Sequence, residues 1–463
     1  MGGGVLQLLA TGQFDMYLSV SPEMSYFKQV YKRHTPFSMQ SIIKQMGDVF
    51  LNGSETKSCK IDRDGDLLKD VTLCITMPAI YSSDVHRFRW IKNLGNYLID
   101  EYSISVGGQV IDRRWGEWMD VWNELSLSQE QKVAFDTLSG NVQEYMNPKA
   151  LTPMVIVKNN RMAYSYYPSA TDTTPSLPEK VLYIPLDFWF SKNPSLSLPL
   201  VAMQYNDTVV NIKFRNIEDL YQVWHDASGQ YVSPRKYNAL MASVASTAQQ
   251  IKFTSFLRPT KPSGYTHTFN AYLECNYVFL DLPERTYIAS HSFDYLVERV
   301  SRDATLTATS TGNGKDSVTL NYSLNNSIKE MIWMLRRRDN ADYNDWANYT
   351  PEQPENRNKS PLKSMEMLWN GMMRLEKKPG EYYNILQPAQ VHTCIPRQGI
   401  YAYSFALYPE KLQPSGSFNA TVISDIALLC ELNGTTEYDV IMYTVAYNVF
   451  RVMNGSGGMV FVV

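Results

Sequence analysis

The chain is poor in cysteine, carries almost no excess charge and lacks any long apolar run. Its five cysteines are an odd number among 463 residues and form no C-x-x-C pair, which argues against a disulfide scaffold or a structural zinc site. The formal net charge is −3, whereas proteins that coat nucleic acid carry a basic excess. Without an apolar run of about 18 residues, no segment qualifies as a membrane-spanning helix. We therefore expect buried free thiols and no direct contact with nucleic acid.

Signatures of catalysis and of cofactor binding are also missing. The six histidines form neither a His-x-His pair nor a His-Glu-x-x-His motif, and Walker A, G-x-G-x-x-G and G-x-S-x-G patterns are absent. The acidic run at 62–66 (DRDGD) has neither the length of an EF-hand loop nor its final glutamate. We interpret it as a solvated turn. The sequence thus predicts no catalytic residue, no cofactor, no metal site and no enzyme.

Alternation of polar and apolar residues is the main pattern that is present. In residues 70–77, Val71, Leu73, Ile75 and Met77 share one face of a predicted strand. The same period recurs at residues 101–106, 208–215, 271–280, 401–407 and 439–453. It predicts antiparallel sheets with one buried face. The 31 tyrosines fit strands and half-hydrated contact surfaces.

Two pairs of segments are similar and occur in the same order in both halves of the chain. DVTLCITMP (70–78) resembles CNYVFLDLP (275–283), and YSISVGGQVIDRRWGEW (102–118) resembles MEMLWNGMMRLEKKPGEY (365–382). We interpret each pair as equivalent parts of two similar β-rich domains. A chain of this length also exceeds the usual size of a single hydrophobic core. Such duplication suits a building block better than a catalyst.

Two helices are predicted. Ser21, Pro22 and Glu23 form a helix-start signal, which predicts a short helix ending before Pro36. Large apolar side chains recur at helical spacing between Trp115 and Leu125, which predicts a helix whose apolar stripe packs against the outside or the end of a sheet.

Four long polar segments lie between the predicted strands, at residues 138–180, 222–261, 301–317 and 339–361. Loops of this length are uncommon in compact domains unless they have a function, and we expect them to project from one end of each sandwich. Asn-x-Ser/Thr triplets at Asn348 and Asn358 fall within the last of them, so these two asparagines are the predicted glycosylation acceptors.

Longer motifs resemble those of one protein family. FDMYLSVSPEMSYFKQVYKRHTPF (14–37), SVGGQVIDRRWGEWMDVWNEL (105–125) and PLDFWFSKNPSLSLPLVAMQY (185–205) lie in the first half. SIKEMIWMLRR (327–337), YYNILQPAQVHTCIP (382–396), GIYAYSFALYPEKLQPSGSFN (399–419) and AYNVFRVMNGSGGMVF (446–461) lie in the second. Together they resemble the major capsid proteins of the large icosahedral nucleocytoplasmic DNA viruses, which include iridoviruses, algal viruses and marseillevirus-like viruses.

The resemblance implies an all-β double jelly roll: two tandem eight-stranded antiparallel sandwiches with a few short helices and long surface loops. We expect an N-terminal arm with a short helix (1–27), a first jelly roll (28–216), a linker (217–236) and a second jelly roll (237–463). It also implies a homotrimer with a nearly hexagonal outline that tiles a viral shell, assembled in the host cytoplasm or viral factory.

Partners are implied in the same way. They are further copies of the chain, minor capsid and penton proteins, and the inner viral membrane, which the N-terminal arm would contact. In the arm we single out the large apolar side chains Val5, Leu6, Leu8, Leu9, Phe14 and Tyr17 as the contact residues. A carbohydrate-binding, lectin-like jelly roll is the alternative function, which exposed aromatic residues and long loops would serve. A two-domain glycosidase is a third reading that no nucleophile or metal signature supports.

Overall fold

Antiparallel strands form most of the regular structure in the computed structural model of the chain. It describes residues 2–49, 51, 55–80, 88–142, 145, 152–158, 161–167, 175, 177–225, 227–244, 250–253, 269–309, 317–434 and 436–461. The strands are β1 (Phe37–Val49), β2 (Thr56–Ile61), β3 (Leu67–Met77), β4 (Phe88–Trp90), β5 (Ile99–Val106), β6 (Gln109–Trp115), β7 (Thr152–Lys158), β8 (Arg161–Tyr167), β9 (Lys180–Pro185), β10 (Thr208–Phe214), β11 (Tyr221–His225), β12 (Gln230–Val232), β13 (Phe269–Leu280), β14 (Phe293–Arg302), β15 (Leu306–Thr309), β16 (Ser317–Tyr322), β17 (Ser327–Arg337), β18 (Leu362–Trp369), β19 (Met372–Pro379), β20 (Ile400–Ser404), β21 (Phe418–Asn419), β22 (Ile426–Leu432), β23 (Glu437–Met453) and β24 (Ser456–Met459).

Short helices connect these strands. The α-helices are α1 (Gly3–Leu9), α2 (Gln13–Ser19), α3 (Leu94–Leu98), α4 (Gly116–Ser126), α5 (Gln129–Ser139), α6 (Pro234–Val244), α7 (Leu282–Ser290) and α8 (Gln387–Val391). Single 3₁₀ turns occur at Trp189–Ser191, Pro194–Leu196, Leu200–Ala202, Ile217–Asp219, Arg338–Asp342 and Ala420–Val422, and a π-helical turn at Tyr382–Leu386.

Two four-stranded sheets form a first sandwich. Their strand orders are β1-β13-β3-β9 and β2-β10-β5-β6, and the paired strands run antiparallel. Apolar side chains from both sheets meet in one core, among them Leu73 on β3, Ile104 on β5, Ile212 on β10 and Leu273 on β13, all fully buried. The alternation seen in the sequence therefore places one face of each sheet in a shared core.

A second sandwich repeats the connectivity of the first. Its sheets have the orders β14-β23-β17-β20 and β16-β22-β18-β19, and the short strands β15, β21 and β24 extend the first of these. Numbered one to eight along the chain within each sandwich, the main strands of both sandwiches have the same sheet orders, 1-8-3-6 and 2-7-4-5. This is the jelly-roll arrangement occurring twice, so the predicted double jelly roll is confirmed.

One of the two predicted repeats is correct and the other is wrong. Residues 102–118 and 365–382 do occupy equivalent places. The hairpins β5-β6 and β18-β19 each lie at one edge of the corresponding sheet in their sandwich. Residues 70–78 and 275–283 are not equivalent: β3 and β13 pair with each other, with Cys275 opposite Val71. Alternation of polar and apolar residues identifies both segments as strands but does not show that they pair with each other. β13 therefore completes the first sandwich, although it lies beyond the predicted linker at 217–236.

The two predicted helices also have different outcomes. The Trp-rich helix is present as α4. The helix predicted after Ser21 is wrong, since residues 20–36 contain only turns and irregular backbone. Ser21 has a positive φ of 56°, which is incompatible with the extended conformation of an N-cap residue. The helices of this region lie earlier, at α1 and α2, and neither contains a buried residue. Residues 1–37 form a unit of their own.

The long polar segments contain more regular structure than predicted. The hairpin β7-β8 lies within 138–180, β12 and α6 lie within 222–261, and β15 lies within 301–317. The segment 339–361 does not project as expected, because its side chains at Asn340, Asn348 and Thr350 are buried. These positions form hydrogen bonds to the surrounding backbone, which polar sequence alone does not reveal.

Candidate functional site

The helix α4 joins the two sandwiches. It follows β6 of the first sandwich, and its apolar stripe, which includes Trp118, Val121, Trp122 and Leu125, packs in one cluster with strands β17, β20 and β23 of the second. The sheet that contains β17 is thus buried on both faces, by its own sandwich and by α4. This explains why β17 reads as a nearly continuous apolar run rather than an alternating one. The predicted packing of the stripe outside a sheet is confirmed.

The start of α4 requires a residue without a side chain. A Cβ atom on Gly116 would lie 2.0 Å from the carbonyl oxygen of Asn96 and 2.2 Å from that of Ile99. Both distances are far shorter than any allowed contact, so the helix approaches the backbone of the α3–β5 segment as closely as only glycine permits.

A buried ionic cluster accompanies the apolar contact. Arg397, from the second sandwich, forms a hydrogen-bonded ion pair with Asp120 and lies with Nη1 3.0 Å from Oε1 of Glu124, both on α4. Burial lowers the pKa of Arg397, but the carboxylates of Asp120 and Glu124 outweigh it and hold the pKa well above its ordinary value. The charge pair is therefore retained inside the junction, where it fixes the position of the second sandwich against α4.

Tyrosine hydroxyls extend this cluster. The hydroxyl of Tyr97 donates to Oδ2 of Asp120 at 2.9 Å and lies 2.9 Å from the hydroxyl of Tyr349 in the second sandwich. Burial raises the pKa of both phenols far above the ordinary value. Both phenols remain neutral, and the hydroxyl of Tyr97 gives the buried Asp120 carboxylate one further hydrogen-bond donor.

A third contact lies at the beginning of α4. Glu117 is almost fully buried, and its Oε1 accepts a hydrogen bond at 2.8 Å from Nη1 of Arg336 on β17. Its Oε2 lies 3.6 Å from Nη2 of Arg302 on β14. One helix of the first sandwich thus contacts arginines on two strands of the second, which opposes rotation about any single contact.

A second ionic group lies beside Trp122. A carboxylate oxygen of Glu298 on β14 lies 3.0 Å from Nζ of Lys192, which follows the 3₁₀ turn Trp189–Ser191. Glu298 also pairs with the buried Lys329 on β17. Burial raises the pKa of Glu298, but the two lysines outweigh it and lower the pKa to about 2. The ammonium group of Lys192 also lies 4.4 Å from the centre of the Trp122 ring, a cation–π contact.

His392 packs edge-to-face against the ring of Trp122 on α4 and lies between two acidic side chains. Its Nδ1 is 3.0 Å from Oε1 of Glu410 and its Nε2 is 3.4 Å from Oε2 of Glu330. Burial lowers the pKa of the imidazole, but the two carboxylates outweigh it and raise the pKa to about 9. His392 is therefore charged at neutral pH, between two acidic side chains.

Nothing in the junction resembles a reaction centre. In the described part of the chain, no group of three or more His, Cys, Asp or Glu side chains is arranged to hold a metal ion. The acids and bases there pair with one another across two sandwiches. Their arrangement can hold the sandwiches in a fixed relation, and it leaves no activated nucleophile beside a general base.

The residues singled out from the sequence lie elsewhere. Val5, Leu6, Leu8, Leu9, Phe14 and Tyr17 are all exposed within the arm. Asn358 is exposed, whereas Asn348 is fully buried, with its amide nitrogen donating to the backbone of Glu352 and to Gln353. The buried position of Asn348 argues against it as a glycosylation acceptor in the folded chain, because a glycan needs an accessible amide.

Sequence reasoning did not identify the ionic junction. Asp120 and Arg397 are separated by 277 positions in the chain, and no local pattern marks either one. The only available signal was indirect. Acidic residues on the polar side of a helix that carries a strongly apolar stripe require basic partners wherever that helix is buried.

Comparisons with known proteins agree with this architecture. A family model described as "Major capsid protein N-terminus" matches residues 25–281, and one described as "Large eukaryotic DNA virus major capsid protein" matches residues 284–458. The major capsid protein of Pyramimonas orientalis virus is 30% identical, and that of Phaeocystis pouchetii virus is 28% identical; each alignment covers 100% of both chains.

The fold is also similar to a solved structure. A chain in the quasi-atomic model of the PBCV-1 virus capsid superposes with a TM-score of 0.68 at 20% identity, over 95% of this chain and 100% of that one. No helix among the described residues is long and apolar enough to cross a membrane.

Proposed function

This chain belongs to the family of large eukaryotic DNA virus major capsid proteins, and from that premise we propose that three copies associate into a trimer with six similar lobes. The protein is a structural component of an icosahedral viral shell and is located in the capsid of the virion; its function is assembly and not catalysis. The observation that carries the trimer proposal is the identical strand order of the two sandwiches. Three chains with two equivalent lobes each give a nearly hexagonal outline, and such blocks tile a surface with few gaps.

The junction supports the same proposal. A hexagonal outline needs two lobes held at one fixed angle, since variable lobes would not fit a regular lattice. Apolar packing of α4 and the ionic contacts of Arg397, Glu117 and Glu298 together oppose movement between the sandwiches. Exposed apolar side chains outside the arm then provide surface for contacts between copies; they include Tyr205, Met372, Met373, Leu407, Tyr408 and Val422.

The test is the mass and outline of the purified chain. Light scattering after size-exclusion chromatography should give three times the chain mass of 53.0 kDa, or 159 kDa, and negative-stain microscopy should show hexagonal particles. A particle that stays at 53.0 kDa at high concentration, or a trimer with a three-lobed outline, would contradict the proposal.

For the arm we propose contact with minor capsid proteins on the inner side of the shell. The support is composition and exposure: Val5, Leu8, Phe14 and Tyr17 present large apolar surface on two short helices, and exposed apolar patches of this kind mark interaction sites. Removal of residues 1–20 should leave the trimer intact but reduce the minor-protein content of assembled shells. A full-length variant should behave like the deletion when Ser replaces the six apolar arm residues Val5, Leu6, Leu8, Leu9, Phe14 and Tyr17. Unchanged content would contradict the proposal, and binding of the arm to lipid vesicles instead would assign it to the inner membrane.

The division of the chain is also proposed. We propose an arm over residues 1–27, a first jelly roll that ends with β13 at Leu280, and a second that begins with β14 at Phe293. The support is the pairing of β13 with β3. A chain that ends after Ser290 should then fold into a protease-resistant domain, whereas one that ends at residue 236 should not.

For glycosylation we propose Asn358 as the acceptor. Its exposure and its Asn-Lys-Ser sequence support this. Mass spectrometry of virion peptides produced by a glutamate-specific protease should detect a glycan on Asn358 and none on Asn348.

A further inference from the structure

A groove of about 470 Å³ lies between the first and second sandwiches on the side of β6 and β14. Residues 109–113 and Trp115 form one wall, residues 299–302 form the other, and Met459 and Phe461 close one end. One lining residue, Arg302, also contacts Glu117 of α4 in the junction.

The groove carries an excess of positive charge. Arg113, Arg299 and Arg302 line it, and the one carboxylate among the described lining residues, Asp112, is buried and already hydrogen-bonded. Asp112 accepts hydrogen bonds from Nε of Arg114 at 3.2 Å and from the backbone N–H of Trp189 at 3.0 Å. Three cationic side chains therefore face one cleft, and among the described lining residues no carboxylate is free to pair with Arg299.

The three arginines of the groove form only weak ion pairs, or none, with the residues that the structure describes. Arg299 is half-buried and forms no ion pair with any residue that the structure describes. Arg113 pairs with Glu101 at 3.1 Å, but its side chain is 52% exposed, and such surface pairs contribute little. Arg302 lies 3.6 Å from Glu117, whose closer partner is Arg336 at 2.8 Å. A carboxylate entering the groove would thus find guanidinium groups that it can recruit at low cost.

The backbone beside the groove favours an extended ligand. Among the described strands, β6 pairs only with β5 and β14 pairs only with β23, so each is the edge of its sheet. An edge strand presents unpaired N–H and C=O groups to which an extended segment can add. Val110 and Phe461 at the rim are exposed and apolar, which suits a segment that alternates acidic and apolar side chains.

We propose that this groove is a docking site for an extended acidic segment of another virion protein. Carboxylates of the segment pair with Arg299, Arg302 and Arg113, because guanidinium groups bind carboxylates through two parallel hydrogen bonds. Its backbone adds to a sheet edge and its apolar residues cover the rim. The edge strands favour a peptide over a nucleic acid, whose phosphate backbone offers no complementary ladder of N–H and C=O groups.

The test uses the full chain and two fluorescein-labelled peptides, one alternating Glu with Val and one alternating Gln with Val. Fluorescence anisotropy should show the Glu peptide binding about tenfold tighter or more, as expected for charge-assisted hydrogen bonds, with affinity falling as salt rises. Arg299→Glu should remove this preference, and Arg299→Gln should reduce it. The matched control is Arg374→Glu, because Arg374 is exposed, lies on the ring of Trp369 and is distant from the groove in sequence; it should bind like the wild type.

Three results would overturn the proposal. They are equal affinity for the Glu and Gln peptides, equal loss of binding in the Arg299 and Arg374 variants, and displacement of the Glu peptide by single-stranded DNA at matched charge. The last would identify a general polyanion surface. The peptide assay does not require a trimer, so its outcome is independent of the particle mass and outline measured above.

Discussion

Replacing Arg397 with methionine removes the positive charge by which the second sandwich contacts both Asp120 and Glu124. The side chains of Arg397 and Asp120 are 9% and 4% exposed, so the remaining Asp120 carboxylate would stay largely buried, with only the neutral partners Asn93 and Tyr97 among the residues described. Breaking a buried ion pair by removal of one partner costs about 3–5 kcal/mol, a large part of a typical folding stability of about 5–15 kcal/mol. Glu124 is less affected, because Nζ of Lys132 lies 3.0 Å from its Oε2.

Urea denaturation followed by tryptophan fluorescence measures this effect, since Trp118 and Trp122 lie within the junction. The Arg397→Met midpoint should fall well below that of the wild type. Arg357→Met is the matched control, because the Arg357 side chain is 66% exposed and exposed pairs are worth about 0–1 kcal/mol. The double variant Asp120→Asn with Arg397→Met should recover much of the loss, since it removes the uncompensated charge.

Two outcomes would refute the reasoning. One is an Arg397→Met midpoint equal to that of Arg357→Met, which would mean that water reaches the pair. The other is a double variant no more stable than the single one, which would mean that packing of the arginine stem, and not charge, provides the stability.

Three further predictions concern the same junction. Because the pKa of His392 is raised from 6.5 to about 9, its contribution to stability is complete below pH 6.5, declines as the pH rises and is lost above pH 9; His392→Gln should flatten this part of the urea-midpoint profile. Trp118→Ala should cost about 3–5 kcal/mol, measured by the same midpoint, while Met372→Ala at the exposed start of β19 should cost almost nothing. Gly116→Ala should leave little soluble protein on expression, because its Cβ has no room, and a normal yield would show that α4 can shift.

Local features of the sequence were sufficient to predict the strands, one hairpin and one helix. Gly107 and Gly108 both have positive φ values, of 58° and 84°, as the predicted turn between β5 and β6 requires. The stripe of α4 was readable because helical spacing is a property of neighbouring residues. These features depend on a few consecutive positions, so no knowledge of the rest of the chain was needed.

Pairings between distant residues could not be predicted in this way. The alternation of residues 275–280 matches that of β3, and it gave no indication that the two strands lie side by side. Asp120 and Arg397 meet only because the second sandwich packs against α4. The buried state of Asn348 depends likewise on a tightly hydrogen-bonded turn that polar composition conceals. Register, docking and burial are properties of the assembled fold.

The placement of β13 has a consequence for synthesis on the ribosome. This strand lies between β1 and β3 in the finished sheet, yet it is translated after every other main strand of its sandwich. While residues 215–268 are made, a period of several seconds at about 5–20 residues per second, β1 and β3 flank a vacant slot with unsatisfied edges. Those edges can form backbone hydrogen bonds with any extended segment that alternates polar and apolar residues. Such segments include the same strands of a neighbouring nascent copy on a polysome. Mispairing is therefore most favoured during crowded translation of this chain, and this stage ends when β13 pairs with β1 and β3.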